Sequence, residues 1–520
     1  MKRLALLAVV AAPLAAQAPA WSPLGPTADL PRGLVTAPAF PEFLLAPHAP
    51  LGLFWSLSNP GAVASDLGEA YSAYRIGRTH TSGDYRRPLD LISSTGVTAS
   101  AETWGKVTDK FAAAGRVALD VVTADPSSYA QELFPYGSSP LAEADTSTSG
   151  LRRPAARLEG ALGWQLGGWG VGFAAAYEGV DNRTGETRLP RFGHAAFPAG
   201  SLGLVRALGF GGITLGARLR YGYGYEQLRV ISHGADGTVY DIEGLADPQV
   251  RPVSTASPYY RKYVRHATGV QLSATGALLG GTWLAAAERL VERERQTSRE
   301  QANPPWDVWR ADGWRYDFAA RHAVPRIGEF TGRMSRVAIH GTSELASVNG
   351  IFYVADESEL RLAGDFRLAL PDTLALLGVT VETRHRVRRL QDFLALRQAS
   401  LDVWEPGVSV TAGTWFAGRA WGEVSAGVAR HYAAASIPDP DSTSAPYQLY
   451  VAPDLSLDAT QARVMTLRAA LRNTFTSAFT AWLELRYEKA TPTGAAVSHG
   501  PVPPADRSRL GVFAGVVVGL

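Results

Sequence analysis

From Phe479 to Lys489 the residues alternate without a break. Phe479, Ala481, Leu483, Leu485 and Tyr487 fall on one side of an extended chain. Thr480, Trp482, Glu484, Arg486 and Glu488 fall on the other. A strand turns successive side chains to opposite faces, so this run has one oily face and one wet face. A second such run follows, with Leu510, Val512, Ala514, Val516, Val518 and Leu520 on a single apolar face. In water, a strand of that kind at a sheet edge would recruit other chains. In a bilayer, a sheet closed on itself has no edge and leaves no backbone group unpaired. The terminal hairpin therefore predicts an all-β fold: a transmembrane antiparallel up-and-down β-barrel.

The same pattern recurs upstream. Residues 156–166 put Leu158, Leu162, Trp164 and Leu166 outward and Arg157, Glu159 and Gln165 inward. Gly167-Gly168 then supplies a two-residue hairpin turn. Trp169, Val171, Phe173 and Tyr177 face out on the return strand. From Ile213, the residues Leu215, Ala217, Leu219, Tyr221, Tyr223 and Tyr225 face out, while Thr214, Arg218, Arg220 and Glu226 face in. Tyr221, Tyr223, Tyr225 and Tyr487 are the expected aromatic girdle at the membrane surface.

Further hairpins are expected at residues 89–122, 360–387, 408–432 and 464–489, with short turns near Asp109, Pro371 and Gly418. Long connections are expected at 125–154, 181–199, 232–258, 298–325 and 436–455. Short turns on the periplasmic side and long loops outside are the barrel pattern, which predicts that both termini are periplasmic. Residues 284–295 have helix-forming composition, but Gly280-Gly281 ahead of them reads as a hairpin turn, so a projecting strand is expected. Residues 326–356 hold two strands or an elaborate loop. The expected total is 18 strands, with 16 as the alternative, since both ends meeting on one side requires an even number.

Composition excludes several classes. There is no Cys, which removes disulfides, thiolate metal sites and Cys nucleophiles together. The formal net charge of +2 offers no basic excess for nucleic acid. Mean hydropathy is close to zero, as expected when lumen-facing residues dilute lipid-facing ones. At the N-terminus, Lys2 and Arg3 precede the apolar run 4–12, and Ala16-Gln17-Ala18 is a small-x-small cleavage pattern. Residues 1–20 are the expected signal peptide, cleaved near 16–20. Residues 21–67, dense in Pro, are an expected periplasmic lead-in or small plug, and 68–520 the barrel.

Two motifs carry a resemblance. Gly515, Val518 and Leu520 resemble the closing signal of bacterial outer-membrane barrel strands, although Phe513 and Leu520 stand where that pattern prefers a polar and an aromatic residue. Asn59-Pro60-Gly61-Ala62 resembles the Asn-Pro-Ala element ahead of strand one in fatty-acid-transporter-like barrels and in several uncharacterised outer-membrane barrel families. The overall layout is similar to those uncharacterised Gram-negative barrels. The resemblance implies integral location in the outer membrane, with lipid and the barrel assembly machinery as partners, and does not name a substrate. The lead-in is too short for the plug domain of energy-coupled siderophore transporters.

By alternation the lumen-lining candidates are Arg218, Arg220, Glu226, Arg361, Asp365, Arg367, Glu382, Arg384, Arg386, Arg468, Arg472, Glu484 and Arg486. Arginines in a wet pore favour anionic or hydroxylated solutes. The same residues can equally pair across strands and hold the wall, Arg218 and Arg220 with Glu226, and Arg384 and Arg386 with Glu382. No nucleophile elbow, His-Glu-x-x-His or phosphate-cradling loop is found. No catalytic residue, cofactor or metal site is therefore expected. A barrel hydrolase would have to draw on loop residues such as His80 with Asp84, His194, His233 with Asp236, or His499, and Asp439 to Ser442 could offer oxygens to a hard cation. The expected function is a pore or transporter for a small solute; the alternatives are a plugged barrel acting in surface binding or secretion and assembly, or a barrel hydrolase.

Overall fold

The computed structural model describes residues 52–519 except for 55–58, 68–69, 84–92, 125–140, 146–149, 185–190, 210–211, 233–236, 246–248, 279, 298–305, 325–326, 348, 370–375, 417–419, 439–446, 477–478 and 494–506. Eighteen antiparallel strands form one sheet closed on itself. In chain order these are β1 (Tyr71–Gly83), β2 (Ser93–Thr108), β3 (Phe111–Ala124), β5 (Leu151–Leu166), β6 (Trp169–Thr184), β7 (Arg191–Ala207), β8 (Thr214–Val230), β11 (Tyr259–Leu278) and β12 (Gly281–Thr297). They continue with β13 (Asp307–Val324), β14 (Gly328–Leu345), β15 (Gly350–Ala369), β16 (Leu376–Asp392), β17 (Arg397–Phe416), β18 (Ala420–Ser436), β19 (Ala462–Thr474), β20 (Phe479–Pro492) and β21 (Arg507–Gly519). Each strand pairs with its neighbour in sequence, and β21 returns to β1 with Val518 opposite Tyr74 and Gly515 opposite Gly77. A Cβ on Gly515 would stand 2.5 Å from the Ile76 carbonyl, so this glycine of the closing motif permits the seam. Leu520 lies outside the described residues.

The outer face is apolar where it should meet lipid. Leu158, Leu162, Trp164, Leu215, Leu219, Leu483 and Leu485 are all exposed, as the alternation predicted. Every barrel strand is longer than the roughly 9–11 residues a tilted strand needs to cross the hydrocarbon layer. Residues 284–295 lie within β12, and residues 326–356 supply β14 and the start of β15, which settles the count at 18.

Two expected loops are mostly strand. Most of residues 298–325 is β13, with Trp314, Tyr316 and Phe318 on its outer face. Arg310 and Asp312 share the parity of that stripe and interrupt it, so the segment reads as a loop. Most of residues 181–199 likewise belongs to the ends of β6 and β7. The expected turns near Pro371 and Gly418, the loop residues 439–442, and residues 1–51 lie outside the described residues.

Three further strands stand apart from the barrel: β4 (Leu141–Asp145), β9 (Gly237–Glu243) and β10 (Gln249–Val253) form their own sheet in the order β10-β9-β4. They come from the two connections β3–β5 and β8–β11, both at the long-loop end. Two short helices also lie off the wall. A 3-10 turn Pro60–Ala62 runs into α1 (Val63–Asp66), and a π-helical turn Tyr447–Val451 runs into α2 (Ala452–Ala459).

Candidate functional site

The site is the barrel lumen, and the chain itself enters it from both ends. At the short-turn end, Asn59 caps the 3-10 turn: its Oδ1 accepts from Gly61 N at 3.0 Å. Its Nδ2 donates to the Ala217 carbonyl of β8 at 3.2 Å. Leu53, Phe54, Ala62, Val63 and Leu67 are buried against Ala112, Ala161, Ala174, Val205 and Leu284 of the inner wall. The wall is cut back to glycine where this segment lands. A Cβ on Gly172 would lie 1.9 Å from the Pro60 carbonyl oxygen, and one on Gly203 would lie 2.1 Å from Asn59 Oδ1. Gly170 and Gly163 of β6 and β5 make similar room for Gly61 and Val63. Asp66 Oδ2 accepts from Phe54 N at 2.8 Å and ties the two ends of this segment together. Burial pushes the Asp66 carboxyl up to about 6, against the opposing pull of its hydrogen bonds from Phe54 and Ser65.

At the long-loop end, the connection between β18 and β19 brings α2 against the inner wall. Tyr447, Val451, Ala452, Leu455 and Ala459 pack on Trp309, Leu345, Phe352, Tyr353, Leu390 and Leu401. Polar groups fix the helix. Asp458 forms ion pairs with Arg386 and, at 3.3 Å, with Arg388 of β16. His431 Nε2 meets the Asp458 carbonyl at 2.9 Å, and its Nδ1 meets Glu405 Oε1 at 2.7 Å. The β4-β9-β10 sheet is anchored across the same mouth. Asp392 Oδ2 accepts from Leu245 N at 2.9 Å, Arg397 donates to the Leu245 carbonyl at 2.9 Å, and the Arg397 guanidinium lies over the Tyr447 ring. Within that sheet, burial and the neighbouring carboxylates of Asp241 and Asp307 push Glu243 up to about 7.

Between the two ends the wall is charged, and its partners differ from those expected. Arg218 and Arg220 are buried and both reach Glu288 of β12, at 3.2 and 2.6 Å. Strand β11 lies between β8 and β12, and these contacts cross it on its inner face over Gly269, whose Cβ would meet both Arg220 and Glu288. Glu226 is buried with Arg261 at 3.9 Å. The expected alternative partners, Glu226 for Arg218 and Arg220 and Glu382 for Arg384 and Arg386, are replaced by partners more distant in sequence, which alternation within one strand does not reveal. Arg384 pairs with Glu359 at 2.8 Å and Glu405 at 3.5 Å, and Arg361 shares Glu359. Arg367 pairs with Asp365 at 2.8 Å. Arg468 bridges Glu423 and Glu484, and Arg486 pairs with Glu484 beside the Phe513 ring. Arg472 is half-buried on β19, in register between Trp421 and Trp482. Glu382, Arg361, Thr466 and Arg486 are exposed within this part of the wall. Sequence reasoning missed Glu288, Glu405, His431 and Asp458. The only available signal was the inward parity of Glu288 on a strand of helix-like composition.

On the outer face, Tyr221 Oη meets His266 Nδ1 at 2.7 Å, Tyr223 packs edge-on to the same ring, and Tyr225 donates to Gln227 at 2.6 Å. Tyr487 is exposed on β20. His80 and His194 sit within β1 and β7 rather than at loop tips; His80 meets Thr95 and His194 meets Asp181. Asp84, His233, Asp236 and His499 lie outside the described residues. No group of three or more potential metal ligands occurs among the described residues.

A family model described as a family of unknown function, DUF6850, matches residues 60–516. The chain belongs to this family. The DUF6850 match takes in both the 3-10 turn that starts at Pro60 and nearly all of the barrel. No curated protein matches the chain in sequence. Among solved structures, the chain is similar to the copper transporter OprC, at 11% identity over 87% of this chain and 81% of that one, with a TM-score of 0.40. It is similar to the ferric yersiniabactin uptake receptor FyuA from Yersinia pestis, at 9% identity over 87% and 80%, TM-score 0.41. It is also similar to a bacterial polysaccharide outer membrane secretin, at 10% identity over 86% and 97%, TM-score 0.35. The DUF6850 chain is an outer-membrane β-barrel: its sheet is closed, and its outward residues form the apolar band that a bilayer requires.

Proposed function

We propose that this barrel is a gated transporter for a small polar or charged solute, with its short turns and both termini in the periplasm and its long loops outside the cell. Residues 1–20 serve as the export signal, and residues 21–51 lead from the periplasm into the plug. The observation that carries the proposal is the pairing of an internally occupied lumen with a charged wall that stays exposed. Residues 53–54 and 59–67 fill one end, α2 and the β4-β9-β10 sheet cover the other, and Arg361, Glu382, Thr466 and Arg486 face open space between them. A permanently sealed wall would have no reason to hold solvated charges, and an open pore would have no reason to carve a glycine seat for its own chain. The solute would pass along the β15–β20 side, where selectivity follows from the sign and spacing of those groups.

Single-channel recording in planar bilayers tests this. The unmodified protein should open rarely. Gly172→Val, which collides with the plug, and Asp458→Asn, which releases Arg386 and Arg388, should each raise the open fraction, and together they should give a steady conductance. If the double variant folds, as judged by heat-modifiable gel mobility, yet passes no current, the transport proposal fails. A plugged barrel acting in binding or assembly would then take its place.

A further inference from the structure

The outer face of β8, β11 and β12 carries a second feature. In register, Tyr223 stands opposite His266, and His266 opposite Arg293, so the aromatic girdle passes directly into a cation. Arg229, Lys262 and Arg295 follow toward the long loops. Their sequence neighbours Leu228, Val230, Arg261, Tyr263 and Glu294 are buried, which puts these cations on the lipid-facing side. Lys262 pairs with Gln227 and Thr297, and Arg295 pairs with Val264, so Lys262 and Arg295 are diagonal neighbours on one face. The Trp306 ring lies between them, 5.9 Å from Lys262 Nζ and 4.9 Å from the Arg295 guanidinium, and the Tyr225 ring is 5.6 Å from Lys262 Nζ.

The exterior carboxylates beside this patch are already engaged: Asp312 pairs with Arg289 and Glu344 with Arg310. Among the described residues none lies within ion-pair distance of Arg229, Lys262, Arg293 or Arg295. On the membrane side the same face continues as exposed Leu219, Val270, Leu272 and Val291. Cations just above an apolar band look onto the headgroup layer, where the available anion is a lipid phosphate. Guanidinium groups suit phosphate because they offer paired donors in a planar fork. Trp306 holds two of the cations in place before any ligand arrives, which lowers the ordering cost of binding.

We propose that this patch binds the phosphate of a lipid headgroup, with the acyl chains lying along Leu219, Val270 and Leu272. The proposal is independent of whether the lumen transports anything. Native mass spectrometry of the full-length protein in neutral detergent, titrated with bisphosphorylated lipid A and with its dephosphorylated form, reads it directly. The phosphorylated lipid should bind at least tenfold more tightly. Lys262→Gln with Arg293→Gln and Arg295→Gln should remove most of that preference. Arg78→Gln with Arg336→Gln and Arg463→Gln, which strips equal charge from exterior positions elsewhere, should leave it within twofold. Equal binding of the two lipids by the unmodified protein would overturn the proposal without any variant. An equal loss in both triple variants would also overturn it, since bulk charge would then explain the binding.

Discussion

The two ends of the lumen are closed in opposite ways. At the short-turn end the wall gives way: five inward glycines, Gly163, Gly170, Gly172, Gly203 and Gly216, let a backbone turn settle against the strands. At the long-loop end the wall builds out: Trp309, Phe352 and Tyr353 meet a helix that is then fixed by Asp458, Arg386, Arg388 and His431. Close backbone packing admits no adjustment, because a seat of that shape either fits or collides. Ion pairs can be remade with water or solute, since their net gain is small beside the cost of each charge alone. The difference teaches which closure can open under mild bias. The α2 end has the character of a gate, and the plug that of a fixed fitting.

The largest expected effect comes from breaking the fitting. Gly172→Val and Gly203→Val each push a side chain into backbone or into Asn59, where nothing can step aside. The plug should leave its seat, exposing Leu53, Phe54, Val63 and Leu67, whose burial is worth on the order of 1.5–3 kcal/mol each. Added protease should then cut residues 52–67 in the folded barrel. Gly150→Val, where a Cβ meets nothing within 4 Å, should remain resistant. Equal cleavage of all three variants would remove the distinction between the two ends.

Next in size is the contrast between the two sectors of wall. Arg218 is fully buried on Glu288, whereas the Arg361 side chain is 59% exposed. Glu288 is shared by the buried Arg218 and Arg220, so Glu288→Gln strands both guanidiniums and should cost about 3–5 kcal/mol. Arg361→Gln should cost no more than about 1 kcal/mol. The order should reverse for ion selectivity. Arg361→Gln with Arg486→Gln should shift the reversal potential of an opened barrel toward cations, and Glu288→Gln should not. Thermal unfolding and reversal potentials under a salt gradient, taken on the same preparations, check both halves.

A smaller effect is expected at the gate itself. Asp458→Asn keeps the shape of α2 but weakens its charge-assisted bonds, each worth about 1.5–3 kcal/mol. Its apolar contacts with Leu390 and Leu401 remain, so the helix should open intermittently without unfolding. High salt screens these buried pairs only weakly, so it should open the α2 end far less than the substitution does and leave the plug unchanged.

How much of this was legible beforehand follows from what alternation can encode. Facing, strand count and closure all depend on a period of two, and Leu215, Leu483 and the β21 face carried it plainly. β13 was hidden because Arg310 and Asp312 break its outward stripe. The lumen's organisation was hidden for another reason. Arg218 reaches Glu288 across an intervening strand, and Arg386 reaches Asp458 from a distant loop. Such partners are set by closure of the sheet and by where a long loop folds back, and neither leaves a local trace in sequence. The glycines at 163, 170, 172 and 203 were visible but ambiguous, since glycine is abundant throughout strands of this barrel.

The smallest expected effect, and the one that compares the two ends most directly, is their response to acid. Each end holds one carboxyl raised by burial: Asp66 in the plug, from 3.8 to about 6, and Glu243 in the covering sheet, from 4.5 to about 7. A raised carboxyl takes up a proton more readily in the closed state than in the open one, so closure is strongest below the open-state value and weakens as pH climbs to the closed-state value. For Asp66 that window runs from 3.8 to about 6, and for Glu243 from 4.5 to about 7. Lowering the pH from 8 should therefore tighten the covering sheet first and the plug only later. Glu243→Gln is neutral at every pH and should abolish the upper phase of the open fraction. Asp66→Asn should abolish the lower phase while keeping an acceptor for Phe54 N. A single pH transition that survives Glu243→Gln unchanged would show that the covering sheet does not govern opening, and that the distinction between gate and fitting drawn from the two ends is misplaced.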